Sequence, residues 1–184
     1  ILSSHSRVEG TMELPDLPAI AAQLGPTQDW PQKLAALSAD AVRALGESYL
    51  ERTRIVRKTD RPLFIDKLPN NWAYVGLIHL ILPNARIIDA RRHPMACCFS
   101  NFKQHFARGQ SFTYGLRDIG LYYRDYVALM AHMDAVLPGR IVRVFHENMV
   151  DDHEAEIRHL MDALSLDFEE ACLRFWENDR AVRT

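Results

Sequence analysis

Cations follow two short apolar runs in this sequence. Lys67 comes directly after PLFID at 62–66, and Arg91 and Arg92 follow ARIID at 85–89. Both runs have the length and composition of a buried strand. Ligands of open parallel sheets bind beyond the carboxyl ends of the strands, so these three cations are candidates for binding an anion at one sheet edge.

A serine completes the candidate anion site. Ser100 lies eight residues after Arg92, in the second turn of a helix predicted to begin at Pro94. The start of that helix offers free N–H groups, arginine can hold a phosphate or sulfate through two parallel N–H bonds, and serine adds a third donor. The same residues could equally be surface arginines and a serine on a solvated helix face.

Glu13 is the candidate general base. It lies in MELPDL, within a proline-rich segment that the sequence predicts to be mostly loop. A carboxylate there could remove a proton from a hydroxyl group, or it could be an ordinary solvated turn residue.

These residues lie in a sequence whose predicted helices and strands alternate. That alternation indicates an α/β fold with a mostly parallel sheet. The order strand, helix, strand over 62–89 has the size of a right-handed βαβ crossover. A third strand is predicted at 140–145. Helices are predicted at 17–24, from the cap Ser38 to about Lys58, at 72–82, from Pro94 onward, at 116–137, from a cap at Asp151 or Asp152 to Leu164, and at 168–178.

Composition limits the function classes. The net charge of −2 gives no general basic field for nucleic acid, and no run of apolar residues is long enough to span a membrane. Three cysteines, two of them adjacent, argue against a disulfide framework and for a reducing, cytoplasmic compartment. No Cys and His spacing is typical of a metal site.

Several segments together resemble the bacterial sulfotransferase family related to tyrosylprotein sulfotransferases, whose members often carry tetratricopeptide repeats upstream. They are FIDKLPNN, LPNARIIDARRHP, the serine at 100, YYRDYVALMAHMDAVLPGRIVRVFHENMV and RAVRT. The resemblance covers almost the whole chain and implies one sulfotransferase domain over 1–184, with the three-layer fold of P-loop nucleotide kinases.

The resemblance also implies an activity and a role for each candidate residue. The family transfers a sulfuryl group from 3′-phosphoadenosine 5′-phosphosulfate to a hydroxyl acceptor, without a metal. Arg92 and Ser100 match the pair that binds the 3′-phosphate of this donor. Lys67 matches the lysine that steadies the leaving oxygen, and Glu13 matches the glutamate proposed to take the acceptor's proton.

The sequence departs from the family pattern in three places. The family's phosphate-cradling loop of the type Pro-Arg-Ser-Gly-Thr-Thr is absent, the chain ends with AVRT where the family continues, and His93 stands where the family usually has Asp. We therefore expect a domain truncated at both ends, which binds the donor weakly and does not turn over by itself, within a parent protein that is a sulfotransferase.

Two other function classes stay open at this point. A P-loop kinase would need a Gly-Lys-Ser/Thr loop and an acidic residue for magnesium, for which Asp66 or Asp89 could be offered. A degenerate nucleotide-binding or interaction domain would keep the fold without catalysis. The acceptor and the oligomeric state are not encoded in any pattern of the sequence.

Overall fold

The computed structural model describes residues 1–107 and 109–178, in which helices and short strands alternate. The strands are β1 (Val8–Gly10), β2 (Leu63–Ile65), β3 (Ile87–Arg91) and β4 (Ile141–Phe145). The α-helices are α1 (Asp16–Gln23), α2 (Trp30–Ala35), α3 (Ala39–Val56), α4 (Val75–Ile81), α5 (Pro94–Lys103), α6 (Leu116–Val136), α7 (His146–Asp151), α8 (His153–Leu164) and α9 (Glu170–Leu173). Short 3-10 helices occupy Leu2–Ser4, Thr27–Asp29, Pro69–Tyr74, Ser111–Tyr114 and Phe175–Glu177.

The chain divides into two compact units. The first comprises Ile1–Ala85 and the described part of Phe168–Thr184, and the second comprises Arg86–Asp167. Each unit contains one pair of parallel strands: β1 pairs with β2 in the first, and β3 pairs with β4 in the second. Parallel strands need a long crossover, which α1 to α3 supply in the first unit and α5 and α6 supply in the second. The predicted α/β class with parallel strands is confirmed.

The predicted βαβ crossover between 62–66 and 85–89 is wrong in the described residues. β2 and β3 belong to separate two-stranded sheets, and the partner of β2 is β1, which the sequence did not predict. A three-residue strand has too few residues to produce a recognisable pattern. β2 is also less buried than expected, because Leu63 is exposed.

Capping and periodicity predicted the long helices well. The Ser38 side chain accepts a hydrogen bond from the Ala41 amide at 3.2 Å and starts α3, and Asp152 accepts from the Ala155 amide at 3.2 Å and starts α8. α6 covers Leu116–Val136, which agrees with the predicted range of 116–137 to within one residue. Among the helices of the described chain, none is both long enough and apolar enough to cross a bilayer.

The core of the first unit lies where α1, α3 and α4 pack together. Its buried members are Leu17, Ile20, Ala21, Leu24, Tyr49, Leu77 and Ile81. In the second unit, buried apolar side chains come from β3, α6 and α8, and they include Ile87, Ile119, Met130, Ile157 and Met161. The apolar side chains of α5 are mostly at the surface, since Met95, Phe99 and Phe102 are all exposed.

Helices α3 and α4 approach closely at a glycine. A Cβ on Gly46 would lie 2.1 Å from the carbonyl oxygen of Ile81, which is backbone and has little freedom to move. We therefore expect Gly46→Ala to lower the free energy of unfolding by about 2–3 kcal/mol, as overpacking does in other cores. Urea denaturation followed by circular dichroism measures this difference.

Gly120 in α6 is the matched control for that substitution. It is also a helical glycine, but apart from its chain neighbours and the backbone of its own helix, no described atom lies within 4 Å of the Cβ that alanine would add. Gly120→Ala is expected to raise the free energy of unfolding by about 0.5–1 kcal/mol, because alanine restricts the unfolded chain and favours the helix. If Gly46→Ala and Gly120→Ala both had the urea midpoint of the wild type, the close approach of α3 and α4 would be refuted.

Candidate functional site

The first unit brings Glu13 and Lys67 together. Their side chains form an ion pair, with 2.5 Å between Lys67 Nζ and Glu13 Oε1. The register of the parallel pair β1 and β2 aligns Gly10 with Ile65, so the segments that carry the two residues leave the sheet at the same edge. More than half of each side chain is exposed, so both remain accessible to a substrate.

Three hydrogen bonds from side chains fix the segments that carry this pair. The Thr11 hydroxyl donates to the carbonyl of Ile65 at 2.5 Å and joins the end of β1 to the end of β2. Next along the chain, Asp66 accepts from the Tyr49 hydroxyl at 2.8 Å and from the Asn71 amide at 3.2 Å. Lys67 therefore follows an anchored residue, while its own side chain is mostly exposed and paired with Glu13.

A buried carboxylate holds β1 in place. Glu9 accepts hydrogen bonds from the Lys58 amide at 2.5 Å, the Thr59 hydroxyl at 2.9 Å and Arg57 Nε at 3.1 Å. Burial by itself raises the pKa of Glu9, but these donors outweigh it and the pKa lies below the ordinary glutamate value. Glu9 is thus a satisfied structural carboxylate, which leaves Glu13 as the exposed acid at this edge.

The second unit gives Arg91 and Arg92 different roles. The predicted strand end was too early: β3 continues through Arg91, and only Arg92 lies beyond it. Arg91 Nε donates to the buried Asp89 at 2.8 Å, and its guanidinium lies 5.1 Å from the ring centroid of Tyr126. Arg92 is exposed and forms no ion pair within residues 1–107 and 109–178. Arg92 is therefore the arginine available to an anion.

Asp89 is the centre of a buried polar network. It also accepts from Arg143 Nε at 3.1 Å and from the hydroxyl of Tyr126, and Arg143 reaches Asp134 at 2.6 Å. Burial, and then the hydrogen bond to Asp89, raise the pKa of Tyr126, so this hydroxyl stays protonated as a donor. The network fixes the end of β3 against β4 and holds Arg91 through its Nε, while the buried Nη2 of Arg91 has no hydrogen-bond partner in the described residues.

The backbone on either side of Arg92 is also tethered. The Tyr123 hydroxyl donates to the Arg92 carbonyl at 3.2 Å, and the His93 amide donates to Glu147 Oε1 at 2.9 Å. That amide hydrogen bond holds the pKa of Glu147 below its ordinary value. Glu147 is thus bonded to a backbone amide, a partner that no side-chain pattern in the sequence reveals.

Arg92 and Ser100 line one open groove along α5, with a volume of about 490 Å³. Its walls are formed by Arg92, Ala96, Phe99, Ser100, Lys103 and Gln104. The helix begins at Pro94, as predicted, and places Ser100 in its second turn. Burial raises the pKa of the Cys97 thiol, so this neighbour stays neutral and leaves the charge of Arg92 available. The groove can bind an anion through a guanidinium and a hydroxyl.

Comparison with known proteins identifies the family. The model of the sulfotransferase family matches residues 1–170. The chain belongs to the sulfotransferase family. It is also 31% identical, over 195 aligned positions, to an uncharacterized protein of Aquifex aeolicus (strain VF5), and the alignment covers 100% of this chain and 26% of that protein. The chain thus spans about a quarter of the length of this relative.

The side chains of the groove and of the sheet edge can be compared with the donor that the sulfotransferase family uses. Sulfotransferases in general take the sulfuryl group from 3′-phosphoadenosine 5′-phosphosulfate, a donor that carries one phosphomonoester and one phosphosulfate. The groove of the second unit supplies donors of the kind a phosphomonoester accepts. The edge of the first unit supplies a cation and a carboxylate in direct contact.

The two carboxylates considered for a kinase-type magnesium site are both engaged elsewhere. Asp66 is hydrogen-bonded to Tyr49 and Asn71, and burial raises its pKa. Asp89 is enclosed by two arginines and a tyrosine. In the part of the chain that the structure describes, no group of three or more His, Cys, Asp or Glu residues is placed to hold a metal ion.

Sequence reasoning missed four of the six residues that line the groove, and Phe99 and Lys103 are the two of them that could contact an anion or position a cation. Both line it beside Ser100, and the sequence analysis gave neither a role. Helical spacing contained the signal, because positions 96, 99, 100 and 103 share one helix face. A serine expected to bind phosphate predicts that its neighbours on the same helix face line the same site.

Proposed function

We propose that this chain is the donor-binding part of a sulfotransferase that transfers a sulfuryl group from 3′-phosphoadenosine 5′-phosphosulfate to a hydroxyl acceptor. The observation that carries the proposal is the groove in which Arg92, free of any ion pair in the described residues, lies with Ser100. Membership of the family supplies the reaction class.

Arg92 and Ser100 would bind the 3′-phosphate. A guanidinium presents two parallel N–H groups that match two phosphate oxygens, and a serine hydroxyl supplies a further donor. Because Arg91 is held by Asp89, the neighbouring charge cannot compete for the same ligand. The anchored backbone at Arg92 and His93 limits the entropy lost when the guanidinium engages the phosphate.

Lys67 would stabilise the leaving group. Transfer of the sulfuryl group to the acceptor releases the rest of the donor, adenosine 3′,5′-bisphosphate, as the leaving group. Negative charge grows on the bridging oxygen as its bond to sulfur lengthens, and an ammonium group at that point lowers the barrier. The flexible, exposed side chain of Lys67 allows Nζ to follow this oxygen.

Glu13 would accept the proton of the acceptor hydroxyl. A neutral hydroxyl is a weak nucleophile, and a positioned carboxylate improves it by removing the proton as the new O–S bond forms. In this structure Glu13 is paired with Lys67, so catalysis requires an exchange of partners. Lys67 turns to the bridging oxygen and Glu13 turns to the acceptor, and the two groups then act on the two oxygens that exchange the sulfuryl group.

Calorimetric titration tests the donor part of this proposal. We expect adenosine 3′,5′-bisphosphate to bind the 184-residue chain at least about tenfold more tightly than adenosine 5′-diphosphate, which lacks the 3′-phosphate. Ser100→Ala should weaken the bisphosphate about three- to tenfold through the loss of one hydrogen bond. Equal or tighter binding of the diphosphate would favour a kinase-type nucleotide site, and no bisphosphate binding by the folded chain would refute the proposal.

A further inference from the structure

The groove along α5 contains a second cation besides Arg92. Lys103 lies one helical turn beyond Ser100, and its Nζ is 5.3 Å from the centroid of the Phe99 ring. A cation held over an aromatic face is favoured over a freely rotating one, because the ring's electron-rich face attracts it. Phe99 is 58% exposed, so the lysine stem also covers part of an apolar ring. The ring therefore keeps Lys103 against the wall of the groove.

The charges of this groove are not balanced by protein groups. Its described lining contains two cations, Arg92 and Lys103, and no Asp or Glu. In the same unit, Arg91 and Arg143 are both paired with carboxylates. Within residues 1–107 and 109–178, neither Arg92 nor Lys103 has such a partner. Two like charges beside one groove repel each other, and a ligand with two negative charges relieves that repulsion.

We propose that Lys103 is a specificity residue that makes the groove selective for a phosphomonoester dianion, with Phe99 as its positioning residue. The inference rests on the proposed function, because it concerns the phosphate bound by Arg92 and Ser100. A phosphomonoester carries about 1.5 to 2 negative charges at pH 7, whereas a phosphodiester carries one and a free hydroxyl carries none. Two cations balance the charge of a phosphomonoester. With a phosphodiester or a free hydroxyl, positive charge in the groove stays unbalanced.

A ligand pair and a charge-matched control test this role by calorimetry. The ligands are adenosine 3′,5′-bisphosphate and adenosine 5′-monophosphate, which differ by the 3′-phosphate. Lys103→Gln should weaken the bisphosphate about five- to tenfold and change the monophosphate less than about twofold. Arg117→Gln removes an exposed cation of α6 that does not line the groove, and should change neither. Phe99→Leu keeps an apolar wall without the ring and should weaken the bisphosphate by an intermediate factor.

The outcomes separate this inference from the proposed function. If the wild-type chain binds the bisphosphate and Lys103→Gln binds it equally well, Lys103 has no role and the proposed function stands. If Lys103→Gln weakens both ligands to the same degree, or no more than Arg117→Gln does, the lysine contributes only a general field and its selectivity is refuted. If the folded wild-type chain binds no bisphosphate, the proposed function and this inference fall together. Each of the three substitutions changes an exposed side chain, and thermal melts confirm that each variant is folded.

Discussion

Arg92→Ala is expected to weaken binding of adenosine 3′,5′-bisphosphate at least about 30-fold, which corresponds to about 2 kcal/mol. The substitution removes two charge-assisted hydrogen bonds and leaves the phosphate facing Ser100 and Lys103 alone. Arg91 cannot replace the lost side chain, because Asp89 and the ring of Tyr126 hold it inside the unit. Calorimetric titration of the variant beside the wild type measures the loss.

Arg86 provides the matched control for this substitution. It is also an exposed arginine, but it comes immediately before β3 rather than after it, and it does not line the groove. Arg86→Ala should change the affinity less than about twofold, since an exposed charge outside the site is largely screened. A loss of similar size in both variants would show that only net charge matters and that the groove is not the binding site.

Asp89→Asn is expected to lower the free energy of unfolding by about 3 kcal/mol or more, because it removes the counter-charge of two arginines in a buried network. The side chain of Asp89 is 4% exposed, and Arg91 and Arg143 both donate to it. An asparagine amide can accept fewer hydrogen bonds from these arginines and brings an NH₂ group that faces their donors. Urea denaturation followed by circular dichroism measures the effect.

An exposed acidic residue of the same unit is the control that separates the effect of burial from the effect of losing a charge. Asp125 pairs with Arg124 at 2.8 Å, but both side chains are exposed. Asp125→Asn should therefore change the free energy of unfolding by less than about 0.5 kcal/mol, as for most surface ion pairs. If Asp89→Asn were no more destabilising than Asp125→Asn, the network around Asp89 would not be what fixes the end of β3.

The long helices were predictable because their signals are local. Ser38 and Asp152 cap their helices through their own side chains. In α6 an apolar residue recurs every three or four positions along about six turns, and this pattern can be read from the sequence without knowing the contacts of the helix. Strand partners were not predictable in this way. Pairing of β1 with β2 depends on contacts between residues more than fifty positions apart, and a strand of three residues has no periodicity of its own.

The difference between Arg91 and Arg92 was predictable in principle. Residues two apart on a strand share a face, so a strand extended to Arg91 places it beside Asp89 and turns Arg92 away. The register then sets Arg143 directly opposite Asp89 on β4. Ending the strand at Asp89 concealed this relation. The contact between Glu13 and Lys67 was harder to foresee, because it depends on a strand that the sequence pattern did not reveal.

Phosphorus-31 NMR of adenosine 3′,5′-bisphosphate bound to the chain tests the central claim most directly, because it distinguishes the two phosphates of one ligand. We expect the 3′-phosphate resonance to shift on addition of the wild-type chain, and its pKa to fall as Arg92 and Lys103 favour the dianion. Both effects should be much smaller with Arg92→Ala at the same concentrations of chain and ligand. A wild-type chain that shifts only the 5′-phosphate resonance, or an Arg92→Ala variant that still shifts the 3′-phosphate resonance fully, would contradict the assignment of this groove.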